Sequence, residues 1–124
     1  MADTITTTLR KALQAKLKAL CSDVSYRVSR GNHSGLFVVY GLSSVDEETV
    51  CQMTLTVDVL GRGQNTTGVD ALADQICEAL DHWYYLDTTT DIGFTSYQQS
   101  RSPIDEDEDT LTHWRLVFLV RLYK

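Results

Sequence analysis

The last twenty residues, Asp105–Lys124, read DEDEDTLTHWRLVFLVRLYK. Five consecutive acids, Asp105, Glu106, Asp107, Glu108 and Asp109, run into an apolar, alternating segment that continues to Tyr123. In an extended chain successive side chains point to opposite faces. Trp114, Leu116, Phe118, Val120 and Leu122 then share one face, and His113, Arg115, Val117, Leu119, Arg121 and Tyr123 share the other. The first set reads as core. A solvent face would be polar throughout, yet Val117 and Leu119 stand between two arginines on the second. Apolar patches rimmed by Arg and Tyr mark interfaces. This stretch therefore predicts a strand whose core face lies under the protein's own helices and whose second face is completed by other subunits. A wide core wrapped by the chain's own loops is the alternative.

Upstream, a weaker strand is expected from about Ile92 to Arg101, ended by Pro103, the only proline. The acids then form a hairpin tip before the return strand from Leu111 to Tyr123. Val50 to Leu60 alternates cleanly, with Cys51, Met53, Leu55, Val57 and Val59 opposite Gln52, Thr54, Thr56 and Asp58. VSYRVSR reads as a half-buried strand through Val24, Tyr26 and Val28, and GNHSG as a turn. LFVVYGL follows as a run apolar on both faces. Adding Phe37 and Val39, or Leu36, Val38 and Tyr40, to the second face enlarges its patch.

Two segments have helical periodicity. Ile5, Leu9, Ala12, Leu13, Leu17 and Leu20 form one stripe, with Arg10, Lys11, Lys16 and Lys18 on the other faces and Asp3 or Thr4 as cap. Val69, Leu72, Ala73, Ile76 and Leu80 form a second, with Thr67 and Asp70 spaced as a capping box and HWYYL closing the helix. The order is helix, three strands, helix, two strands. It predicts a single α+β domain over 1–124, a two-layer sandwich with an antiparallel sheet of four to five strands and both helices on one face.

At 124 residues the chain folds without a metal or disulfide to staple it. Its formal net charge of −6 argues against tight phosphate binding over a broad surface, though not against contact with nucleic acid passing nearby. Cys21, Cys51 and Cys77 are widely spaced and fall in apolar segments, as buried free thiols of a reducing compartment do. No window is apolar enough for a signal peptide or a membrane span, so a soluble cytoplasmic product is expected.

Catalytic chemistry has little footing. His33, His82 and His113 share no local ligand spacing. GRGQNTTG lacks the Lys-Ser/Thr ending of a phosphate loop; it reads as a long connection, with Arg62 and Gln64 as candidates for reaching a neighbour. Consecutive acids in an extended chain diverge, so Asp105–Asp109 reads as a solvated tip, with a metal site or contact to a basic partner as the other readings. No enzyme, cofactor or metal is expected.

The opening helix ITTTLRKALQAKLKAL, the second helix VDALADQICEALD and the closing hairpin GFTSYQQSRSPIDEDEDTLTHWRLVFLVRLYK resemble the tail terminator, or tail completion, proteins of long-tailed bacteriophages. Chain length and element order are similar too. The resemblance implies a structural subunit of a homohexameric ring that caps the tail tube, stops its polymerisation and joins tail to head while DNA passes through. It implies the tail tube protein and a head-completion or neck protein as partners. It also implies residence in the virion at the head–tail junction after assembly in host cytoplasm, without a membrane. The subunit-interface candidates Arg115, Val117, Leu119, Arg121 and Tyr123 come from strand alternation. Another neck or tail protein, such as a head–tail adaptor or tube subunit, and a small dimeric ligand-binding protein are the alternatives.

Overall fold

A computed structural model describes residues 5–27, 35–44, 52–62, 66–89, 91–104 and 111–123. Its elements are α1 (Ile5–Lys18), β1 (Val24–Tyr26), β2 (Leu36–Ser44), β3 (Gln52–Arg62), α2 (Thr66–Leu80), β4 (Trp83–Asp87), β5 (Ile92–Pro103) and β6 (Leu111–Tyr123). The strands form one sheet in the order β1-β2-β3-β6-β5-β4. The final strand is central, paired antiparallel with β3 from Gln52↔Arg121 to Arg62↔Leu111 and with β5 on its other side.

Alternation places Val38 and Tyr40, Met53, Leu55, Val57 and Val59, and Leu116, Phe118 and Val120 on one face of this sheet. There they meet Leu9, Leu13 and Leu17 of α1 and Val69, Leu72, Ala73, Ile76 and Leu80 of α2 in one core. The two helical stripes thus pack on a single sheet face, as the α+β reading expects. Lys16 and Lys18 in the last turn of α1 complement its helix dipole.

The sheet curls. Gln14 Nε2 of α1 donates to the Val24 carbonyl of edge strand β1 at 3.3 Å. Lys16 Nζ of the same helix lies 5.2 Å from the centroid of the Trp83 ring on the other edge strand, β4. In a flat sheet of this order those edges stand about 24 Å apart, beyond the reach of one helix about 10–12 Å across.

Several expectations need correction. The sheet has six strands, not four to five. HWYYL does not close α2: the helix ends at Leu80, and Trp83–Asp87 forms β4. His82 takes a left-handed φ of 61° and its amide donates to the Ser96 carbonyl, so the chain reverses directly into the new strand. Ser96, buried in the core, donates through Oγ to the Leu80 carbonyl at the helix end. The sheet is not wholly antiparallel, because β1 runs parallel to β2 from Val24↔Val38 to Tyr26↔Tyr40. Thr67 and Asp70 do not cap α2, which already begins at Thr66. Asp70 Oδ1 instead accepts the Trp114 indole N–H at 2.7 Å, tying α2 to β6. The Asp3/Thr4 cap, Val28, the residues of GNHSG before Gly35, and Cys51 lie outside the described residues.

Candidate assembly surface

The strand ladders define the second face row by row. Phe37, Leu60 and His113 lie side by side across β2, β3 and β6, as do Val39, Asp58 and Arg115. Gly41, Thr56, Val117 and Ser100 form the next row, and Ser43, Thr54, Leu119 and Tyr97 the one after. Arg121 is flanked by Gln52 and Thr95, and Tyr123 by Gly93. Of the two sets weighed for β2, the structure puts Phe37 and Val39 here and sends Val38 and Tyr40 into the core.

Exposure changes along this face. Phe37, Leu60 and His113 are buried. Val117 and Leu119 are half-buried, while Arg115 and Arg121 are exposed. At the far corner Tyr84 is 58% exposed, Leu86 46% and Tyr123 44%, the large apolar side chains most open to solvent among the described residues. Tyr84 and Leu86 lie beside Thr95 and Gly93 on β5. The Tyr84 and Tyr123 rings sit 6.4 Å apart, and hydrogen bonds involving Thr95 and Tyr97 hold the Tyr123 hydroxyl below the usual phenol range. A side chain on Gly93 would come within 3.2 Å of Leu86 Cδ1, so glycine lets this cluster close over β5.

Between the buried end and the open corner stands an ionic group. Asp58 Oδ1 accepts from His113 Nε2 at 2.8 Å and from Arg115 Nε at 2.9 Å. Burial alone raises the Asp58 carboxyl, but hydrogen bonds from His113 and Arg115 outweigh it, and the group titrates below its usual value of 3.8. Arg115 is therefore anchored within its own chain, with its side chain still 45% exposed.

The five interface candidates thus lie on one face, with Val117 and Leu119 between the two arginines. Arg62 is exposed at the end of β3, opposite Leu111. Gln64 and Asp105–Asp109 lie outside the described residues. Sequence reasoning missed Tyr84, Leu86 and Tyr97. The alternation of Trp83 and Tyr85 against Tyr84 and Leu86 was the available signal, masked by its direct continuation from a helix.

Cys21 and Cys77 are free, and burial raises both thiols above their ordinary value, the reverse of an activated nucleophile. Among the described residues no group of three or more His, Cys, Asp or Glu side chains gathers as a metal site. Nor is any described helix long and apolar enough to cross a membrane.

No protein-family model matches the chain, and no curated protein matches it. Solved structures do. A chain from the virion of a native gene transfer agent particle is 18% identical with a TM-score of 0.66, over 95% of this chain and 90% of its own. A second solved chain, 13% identical, also reaches a TM-score of 0.66 over 97% of this chain and 95% of its own. At these identities the likeness establishes a shared fold over nearly the whole length of each chain.

Proposed function

We propose that this protein is a structural subunit of a phage-like virion, a tail terminator that assembles through the second face of its sheet into a ring at the tail end. The observation that carries the reading is the near full-length fold shared with a chain of the gene transfer agent virion. The second face supports it independently. Val117 and Leu119 lie half-buried between Arg115 and Arg121, and Tyr84, Leu86 and Tyr123 open to solvent at the corner of the same face. An apolar surface of this make-up, with aromatic and arginine side chains at its rim, is the composition of a protein–protein contact.

In this role the ring caps the tail tube, meets a neck protein on its other side and lets DNA pass. A net charge of −6 suits a conduit, since a wall that held phosphates tightly would stall the passage of DNA. Leu119 is the position to test. Leu119→Asp puts a carboxylate into the apolar part of the face without touching the core. Purified wild-type protein is expected to show rings with a DNA-sized hole by negative-stain electron microscopy, and the variant folded single subunits. Rings formed normally by Leu119→Asp would remove this face from the contact. Long tubes would identify a tube subunit, and compact two-subunit particles would overturn the ring.

A further inference from the structure

The cations of this acidic chain are unevenly placed. Of its eleven Lys and Arg residues, Arg10, Lys11, Lys16 and Lys18 fall within α1, which contains no acid. Lys16 and Lys18 answer the helix dipole, but Arg10 and Lys11 lie near the middle of α1, beyond the last turn where that effect acts. Arg101 and Arg115 are each bonded to a carboxylate, Asp74 and Asp58. Arg10 and Lys16 instead lie over aromatic rings, Tyr26 at 4.2 Å and Trp83 at 5.2 Å. A groove of about 470 Å³ runs along the helix, lined by Thr7, Arg10, Lys11, Gln14, Ala15 and Lys18. Three of its six lining residues, Arg10, Lys11 and Lys18, are cations.

We infer that this groove receives an acidic segment, and that the segment is Asp105–Asp109 of a neighbouring copy. Charge complementarity selects it: the same chain carries five consecutive carboxylates, and three of the six residues lining the groove, Arg10, Lys11 and Lys18, are cations on a helix with no acid. The self-assembly proposed above assigns it to a neighbour. The segment leaves from Ile104 and returns at Leu111, which pairs with Arg62 at the end of β3. The Arg10 guanidinium sits over Tyr26 of edge strand β1, three strands away in the sheet order. In a closed ring, successive subunits can each fill the groove of the next. This inference rests on the self-assembly proposed above and adds a second, salt-sensitive contact to it.

The test separates the two. A labelled peptide of residues 103–111 is titrated onto full-length protein whose own segment is neutralised by Asp→Asn and Glu→Gln changes at 105–109. Fluorescence anisotropy is expected to show binding at low salt that weakens at least tenfold at 0.5 M NaCl, as a contact between charges requires. Arg10→Glu with Lys18→Glu should lower it at least tenfold. Lys11→Glu with Lys18→Glu, which keeps the Arg10–Tyr26 stack, should do the same if loss of folding is not the cause. In sedimentation the neutralised protein should assemble more weakly than wild type. Reversing both partners, glutamates in the groove and lysines at 105–109, should restore assembly. Absent binding, or binding unaffected by either pair, overturns the groove. A DNA duplex that displaces the peptide at lower concentration reassigns the groove to nucleic-acid phosphate and overturns the acidic-segment assignment. Peptide binding by a wild-type protein that stays monomeric at every concentration overturns the ring and the neighbouring copy, leaving the groove a site for an acidic segment in trans.

Discussion

On β6, Leu116, Phe118 and Val120 are fully buried, while Val117 and Leu119, interleaved with them, are only half-buried between two exposed arginines. The side chains are alike in kind. What differs is what covers them: α1 and α2 on one side, the subunit's surroundings on the other. Burial on the core face is settled within the subunit and sets its stability. Burial on the second face is left incomplete, so its remaining apolar surface contributes only when something docks. On the proposed reading, one strand thus divides its hydrophobic side chains between folding and assembly.

Substitutions on each face should separate the two contributions. The largest effect on folding is expected from Phe118→Ala, which empties a fully buried ring site and should cost about 3–5 kcal/mol. A lower urea midpoint with an unchanged slope would register it. Asp58→Asn comes next, because it removes the charge to which His113 and Arg115 both bond; a loss of about 1–3 kcal/mol is expected in the same assay. Its signature is in pH. Asp58 titrates below 3.8 when folded, so its ionised form stabilises the native state. That contribution is complete above the unfolded value near 3.8 and drains away as pH falls through the lower folded value. Wild-type stability should therefore fall more steeply on acidification through this range than that of Asp58→Asn. Equal slopes would show that the ionic group contributes nothing to folding.

Leu119→Asp should change the stability of the free subunit by less than about 1 kcal/mol while abolishing assembly, the inverse of Phe118→Ala. A collapse of the isolated subunit would mean that the second face is core after all. The smallest effect is expected on α1. Thr8 is buried, and among the described residues its hydroxyl has no hydrogen-bond partner. Thr8→Val keeps the shape, removes the stranded polar group and should raise the melting temperature through a gain of about 1 kcal/mol or less.

Much of this division is legible in the residues themselves. The closing strand runs over the span that its alternation indicates, and Leu9, Ala12, Leu13 and Leu17 of the first helical stripe and all five residues of the second are buried, Leu20 only partly. Alternation reports faces, however, and is silent on direction, so nothing in VSY distinguishes a parallel from an antiparallel neighbour. β4 was hidden for another reason. The reversal before it relies on a left-handed His82 where no glycine or proline marks a break, and Trp83 follows three residues after the last helical position. Of the candidate assembly surface, the β6 residues could be read from one strand. Tyr84, Leu86 and the Asp58 group belong to it only through pairings between strands distant in sequence. Asp58 and Arg115 are 57 residues apart.

The two tryptophans carry a practical consequence. Trp83 stands edge-on to Phe94 beneath Lys16 of α1, and Trp114 is hydrogen-bonded to Asp70 of α2 and covered by Arg101. Each indole is therefore an optical probe of a different helix. Two single-tryptophan variants would let emission spectra follow the detachment of α1 and α2 separately, and so reveal whether the helical layer lifts from the sheet as one piece or two.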